Sequence, residues 1–235
     1  MAQERFTMKL KDKLIAVTGA NGNLGRAIVS TALSQGATVR LLDIAFGDDI
    51  ARLFPERTSC HEINLFDQES SAACFASLGP VDALVNAAGG FAMGTAVHKT
   101  TDDDWSAMFN INVRTMLNGV RSVTPGMIER RYGKIINIGA AGALQGSALM
   151  APYIAAKSAV IRSTECLAEE LKSHGINVNC VLPGVIDTPQ NRGAMPDANW
   201  SEWVSPQQLA DTICFLASDD AAGIHGASIA VKNLG

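Results

Sequence analysis

Tyr153 and Lys157 stand four positions apart in Tyr153-Ile-Ala-Ala-Lys157. On a helix that spacing puts a phenol and an ammonium on one face. A nearby cation favours the phenolate and draws the tyrosine pKa toward neutrality. A tyrosine tuned in this way can act as a general acid or base. A second group suits phosphate: Thr18-Gly-Ala-Asn-Gly-Asn-Leu-Gly25 carries glycines at 19, 22 and 25. Gly19 permits a tight turn, Gly22 lets the backbone approach a pyrophosphate, and Gly25 lets a helix pack on a strand. Free N–H groups at the start of that helix then face the phosphates. Asp43 follows 18 residues after Gly25. A carboxylate there accepts hydrogen bonds from ribose hydroxyls and repels a 2′-phosphate, so NAD(H) is expected over NADP(H). Arg26 and Arg40 are the nearest cations that could reverse this. Each signal also has a plain alternative. Tyr-x-x-x-Lys marks many solvated helix faces, a glycine-rich connector need hold no ligand, and an aspartate can cap a loop.

Elements that would carry these groups are legible as hydrophobic periodicity. Strands are expected at Leu14–Thr18, Thr38–Leu42, Cys60–Leu65, Ala83–Asn86, Lys134–Ile138, Ile176–Leu182 and Ser228–Val231. Helices are expected between them, at Gly25–Gln35, Asp49–Leu53, Ser70–Leu78, Asp102–Glu129, Ala151–His174 and Pro206–Ser218. Gly36 and Gly175 act as stops. Thr100 or Thr101 opens the long helix, and three aspartates in its first turn complement the helix dipole. The alternation predicts one α/β domain over residues 1–235. It is a Rossmann fold, a doubly wound and mostly parallel sheet with helices on both faces.

Composition narrows the function classes. Apolar residues make up 47 % of the 235 and charged residues 18 %, enough for a large core and too apolar for a disordered chain. The net charge of −4 comes without a lysine/arginine cluster, so no nucleic-acid partner is expected. Five cysteines, at 60, 74, 166, 180 and 214, form no C-x-x-C pair. They are read as small, mostly buried thiols in a reducing compartment, with no metal site. The N-terminal MAQERFTMKLKDK is polar, and no run of 18 apolar residues occurs. No membrane partner is expected, and the location read is cytoplasmic.

The motifs together, in this order, resemble the short-chain dehydrogenase/reductase family over nearly the whole chain. Asn86-Ala-Ala-Gly89 is similar to its motif after the fourth strand, and Trp105 with Asn112 to its helix carrying an asparagine. Tyr153 and Lys157 resemble its catalytic pair. Pro183-Gly184 with Ile186 and Thr188 resembles the segment that holds the nicotinamide carboxamide. The resemblance implies that Tyr153 passes a proton to substrate. Lys157 binds the nicotinamide ribose and tunes Tyr153, and Asn112 holds a water linking Lys157 to solvent. It places Asn64 and Leu65 beside adenine, and Gly19, Asn21, Gly22, Asn23, Leu24, Asp43, Asn86, Ala87 and Ala88 around the dinucleotide. It also implies a homodimer or homotetramer through the two long helices. Asn86 and Asn112 equally fit buried asparagines that satisfy backbone.

Two features depart from the family. The turn is spaced Gly-x-x-Gly-x-x-Gly rather than Gly-x-x-x-Gly-x-Gly, which leaves the contacts of Asn21 and Asn23 open. The family's serine, 13 residues before the tyrosine, is replaced by Ala140. Losing a donor that polarises a carbonyl costs about two to three orders of magnitude in rate. Either Ser147 substitutes or the substrate does not need the donor. Asp187-Thr-Pro-Gln-Asn-Arg-Gly-Ala-Met-Pro-Asp-Ala-Asn-Trp200, Gly89-Gly90 and Ala141-Gly-Ala-Leu-Gln-Gly146 are similar to quinonoid dihydropteridine reductases, which lack the serine as well. Three readings stay open. The first is an NADH-dependent reductase of a small conjugated (pterin- or quinone-like) or carbonyl substrate. The second is an alcohol dehydrogenase or ketoacyl-type reductase with its serine replaced, and the third a non-catalytic NAD(H)-binding regulator. Pro189–Ser205, with Met195, Trp200 and Trp203, is expected to cover the site, its tryptophans either meeting a flat ligand or anchoring the loop.

Overall fold

The computed structural model describes residues 8–234, so the first seven residues of the polar N-terminal stretch lie outside them. In chain order, β1 is Leu14–Thr18, α1 Asn23–Ser34, β2 Thr38–Asp43, α2 Ile50–Leu53, β3 Thr58–Glu62, α3 Gln68–Ser77 and β4 Ala83–Asn86. The second half holds α4 Asp102–Phe109, α5 Thr115–Arg130, β5 Gly133–Ile138, α6 Ala151–Leu171, β6 Ile176–Pro183, α7 Pro189–Ala194, α8 Pro206–Ala217 and β7 Ser228–Val231. The seven strands make one sheet in the order β3-β2-β1-β4-β5-β6-β7, with every pair parallel. Winding runs outward from β1 to β3, returns to β4 and continues the other way. The crevice between the carboxyl ends of β1 and β4 is therefore the switch point, where such sheets bind ligands.

Side-chain alternation builds a core on each face. Ile15 and Val17 of β1 join Val39, Leu41, Ile136 and Ile28 on one side. Ala16 of the same strand joins Leu42, Leu84, Ile135 and Ile161 on the other. Near-continuous apolar strands follow from burial on both faces.

Beyond shifts of one or two residues at other element ends, three elements differ from the sequence expectation. The third strand is Thr58–Glu62, because its partners run from Val39 to Asp43 of β2. Beyond it the Asn64 side chain accepts from the Phe66 N–H and its carbonyl from Asp67, turning the chain out of the sheet. The helix expected over Asp102–Glu129 is divided by a π-turn at Asn110–Arg114. That turn widens the helix by one residue at a place where a side chain is needed elsewhere. Thr101, not Thr100, caps α4, in a reciprocal box with Asp104. The last turn of the helix over Ala151–His174 tightens to 3₁₀ at Lys172–His174 before Gly175, at φ 72°, ends it. Nor are the cysteines mostly buried: Cys180 and Cys214 are, Cys74 is half-buried, and Cys60 and Cys166 are exposed, all unpaired. Cys60 sits on the edge strand β3, which has a neighbour on one side only.

Candidate active site

The glycine turn joins β1 to α1. Gly19 has φ +64°, and a Cβ there would lie 2.7 Å from the Ala88 nitrogen. The turn thus rests directly on the segment after β4. A Cβ on Gly25 would lie 2.1 Å from the Gly19 oxygen, so helix and turn pack through the missing side chain. Gly22 meets only the Gly19 oxygen, at 3.4 Å, and its other side is open. Helix α1 begins at Asn23, two residues earlier than expected, and Gly22 supplies no side-chain cap. The N–H groups of its first turn are left for an anion, the arrangement a pyrophosphate needs.

A groove of about 630 Å³ opens beside this turn. It is lined by Gly19, Asn21, Gly22, Asp43, Asn64, Leu65, Ala87 and Ala88, together with Ile44 and Ala45. The Asp43 carboxylate accepts from the Asn21 N–H at 2.9 Å and the Ile44 N–H at 2.7 Å. Leu65 is held from behind by Asn118, whose Nδ2 donates to its carbonyl at 2.9 Å. Asn23 and Leu24 lie outside the lining, and the Asn23 amide donates to Gln190 of α7 at 2.8 Å. Asn86 does not face the groove either. Its amide donates to Asn137, which donates to Thr164, a buried polar line across β4, β5 and α6. Its oxygen is buried without a partner, against Gly119. Thr18 and Asn86 are register partners, so the last residue of β4 turns inward as part of that strand's pleat.

Past Ala88 the lining takes in Gly89; Tyr153, Lys157 and Asn112 stand outside it, with Lys157 and Asn112 next to that glycine. A Cβ on Gly89 would lie 2.9 Å from Asn112 Oδ1 and 3.2 Å from Lys157 Nζ, so both side chains converge over that glycine. Asn112 sits in the π-turn. Its oxygen accepts from the Gly90 N–H at 3.1 Å, and its amide donates to the Gly90 and Met108 carbonyls at 3.0 Å each. The widened turn is thereby tied to the loop after β4. Lys157 Nζ donates to the Ile138 carbonyl at 2.8 Å, and burial lowers its pKa to about 8. Burial pushes the Tyr153 hydroxyl up to about 12. The lowering expected from Lys157 does not occur, because the phenol sits among apolar groups and the ammonium is turned to a backbone carbonyl. Phe91 meets the Tyr153 ring edge-on, with centroids 4.8 Å apart.

Ala140 is buried in the same apolar cluster against which Tyr153 packs, and Ser147 is exposed in the following loop. The segment expected to hold the nicotinamide carboxamide leaves β6 at Pro183, and Pro183, Gly184, Ile186 and Thr188 lie outside the groove lining. The Ile186 carbonyl accepts from Asn191, and the Thr188 hydroxyl caps α7. In Pro189–Ser205, the segment expected to cover the site, Trp200 donates to the Met195 carbonyl and carries the Arg192 guanidinium at 4.8 Å. Arg192 in turn pairs with Asp187, so Trp200 anchors this loop to itself. Thr18 was not singled out from the sequence. It accepts from the Ala88 N–H at 3.2 Å and steadies the groove wall, but only its place at the end of β1 hints at this.

The short chain dehydrogenase family model matches residues 13–199. A 3-oxoacyl-(acyl-carrier-protein) reductase of Vibrio harveyi is 32 % identical over 96 % of this chain and 98 % of its own length. An acetoacetyl-CoA reductase of Paracoccus denitrificans is 33 % identical over 95 % and 98 %. Among solved structures, a Brucella melitensis 3-oxoacyl-(acyl-carrier-protein) reductase with bound NAD superimposes with a TM-score of 0.87 at 27 % identity, covering 99 % of this chain and 95 % of that one. With a parallel sheet, a glycine turn at its switch point and Tyr153, Lys157 and Asn112 beyond it, the chain belongs to the short chain dehydrogenase family.

Proposed function

We propose that the protein is an NAD(H)-dependent oxidoreductase of a small carbonyl or conjugated substrate, with Tyr153 as the proton donor. The observation that carries this is the convergence of Lys157 and Asn112 over Gly89, at the end of a groove that begins at the glycine turn. The groove fits a dinucleotide because its helix start is uncapped and Gly22 leaves space above it. Bound there, the nicotinamide cofactor supplies or accepts the hydride. When hydride goes to the substrate, Tyr153 gives its proton to the substrate oxygen or nitrogen; in the reverse direction it takes that proton up. Lys157, protonated below about pH 8, holds the ribose and offers the cation that the phenol needs once substrate and cofactor close over both. Asn112 fixes the loop of Gly89 and Gly90. The preference for NADH rests on Asp43, whose carboxylate is aimed along the groove by two backbone N–H groups.

The reductase names of the relatives favour a keto substrate. Ala140 favours a conjugated one, since charge spread over a ring needs a point donor less. Phe91, exposed and in edge contact with the Tyr153 ring, agrees with a conjugated substrate, since it offers a flat ring an apolar surface. The five unpaired cysteines fit the reducing cytoplasm expected from the sequence. A second groove, on the outer face of α4 and α5, exposes Phe66 and Phe109 beside Arg114 and Arg121, and it fits the expected homo-oligomer. The test is NADH oxidation with 3-oxoacyl thioesters, simple ketones, quinones and quinonoid dihydropterin, on wild type and Tyr153→Phe. Turnover of one class that Tyr153→Phe loses at least about 100-fold, with NADH affinity kept, supports the reading. Tight NADH binding without turnover of any class would favour the regulator.

A further inference from the structure

We infer that Asp49 sets the cofactor preference by holding Arg26 away from the ribose end of the groove. This inference rests on the proposed NAD(H) site. Arg26 lies in the first turns of α1, and its side chain runs behind Asn21. Nε donates to the Asn21 carbonyl at 2.9 Å and Nη2 to the Asn21 side-chain oxygen at 2.7 Å. The outer edge of the guanidinium is gripped by Asp49, with Nη1 to Oδ2 at 2.5 Å and Nη2 to Oδ1 at 3.2 Å. Asn21 is also the residue whose N–H donates to Asp43, and its amide donates to the Ala45 carbonyl at 3.1 Å. One residue thus separates a full positive charge from the carboxylate that faces the ribose.

Through Asn21, Arg26 stands next to Asp43, and a guanidinium free to form paired hydrogen bonds is the group best suited to a 2′-phosphate. The bidentate contact to Asp49 uses that capacity. Gly47 leaves room beside it, since a Cβ there would lie 2.8 Å from the Asp49 carboxylate and push it aside. Discrimination then has two parts: Asp43 repels the extra phosphate, and Asp49 removes the cation that would offset the repulsion. The pair is partly exposed, with 31 % and 44 % of its side chains accessible, so releasing it leaves the core untouched.

The test is equilibrium binding. Kd values for NADH and NADPH are measured by cofactor fluorescence on wild type, Asp49→Asn, and Asp49→Asn with Arg26→Gln, each checked by thermal melting. Asp49→Asn is expected to lower the NADPH-to-NADH Kd ratio by at least about fivefold, mainly through tighter NADPH, with the gain fading in high salt. The double variant is expected to return the ratio to that of wild type. Equal changes in both Kd values, or no change, would mean the contact is only structural and would overturn the inference. So would a double variant that keeps the shift, since Asp49 would then act by its own charge. Asp49→Ser is read the same way if Asp49→Asn melts early. A wild type that prefers NADPH would refute the role of Asp43, while the comparison of Asp49→Asn with the double variant still decides the role of Asp49.

Discussion

Lys157→Met separates the chemistry of the buried lysine from its effect on stability. Burial lowers the lysine pKa from 10.5 to about 8. A shift of that size amounts to about 3 kcal/mol against the folded state wherever both states are protonated, below about pH 8. Methionine fills a similar volume without a charge. It leaves the Ile138 carbonyl, now 2.8 Å from Nζ, without its partner, a loss of about 2 kcal/mol. The variant should therefore be about 1 kcal/mol more stable than wild type at pH 7. The sign changes with pH. Between about 8 and 10.5 the unfolded chain binds a proton that the folded chain does not, so wild-type stability rises with pH. By pH 9.5 wild type should have regained about 2 kcal/mol and overtaken the variant by about 1 kcal/mol. Urea unfolding of both proteins without cofactor, at pH 7 and 9.5, reads the difference directly, and other titrating groups cancel in it. A difference that stays constant over this range would refute the buried-lysine argument, whichever protein is the more stable.

Three further outcomes are expected. Ala140→Ser should raise kcat/KM for simple ketones, whose charge develops on one oxygen, by at least about tenfold more than for quinonoid acceptors. An equal effect on both substrate classes would remove the case for a conjugated substrate. Gly25→Ala should lower Tm by roughly 4–8 °C, because its methyl would press on the Gly19 carbonyl. Gly22→Ala, which meets only an ordinary contact, should keep Tm and lose cofactor affinity; calorimetry with and without NADH separates the two variants.

What local sequence determined is whatever short-range chemistry determines. Leu14–Thr18, Ala83–Asn86 and Ser228–Val231 are strands at their expected bounds, since each is a short apolar run, the first closed by Gly19. The glycine spacing in the turn and the four-residue step from Tyr153 to Lys157 are equally local, so the candidate cofactor turn and the candidate catalytic pair can be picked out before any fold. The π-turn at 110–114 was not. It arises because Asn112 must reach the backbone of Gly90, on a loop brought alongside only by the sheet. Asn86 reads as a ligand contact in a motif, yet the pleat of β4 turns it toward Asn137. The Tyr153 pKa was expected to fall and instead rises, because burial among neighbours distant in sequence outweighs a lysine whose ammonium points to Ile138. The grip of Asp49 on Arg26 has no pattern in the sequence at all. It joins the first turns of α1 to the segment after β2, which come together because β1 and β2 lie side by side, and that contact is a property of the tertiary structure alone.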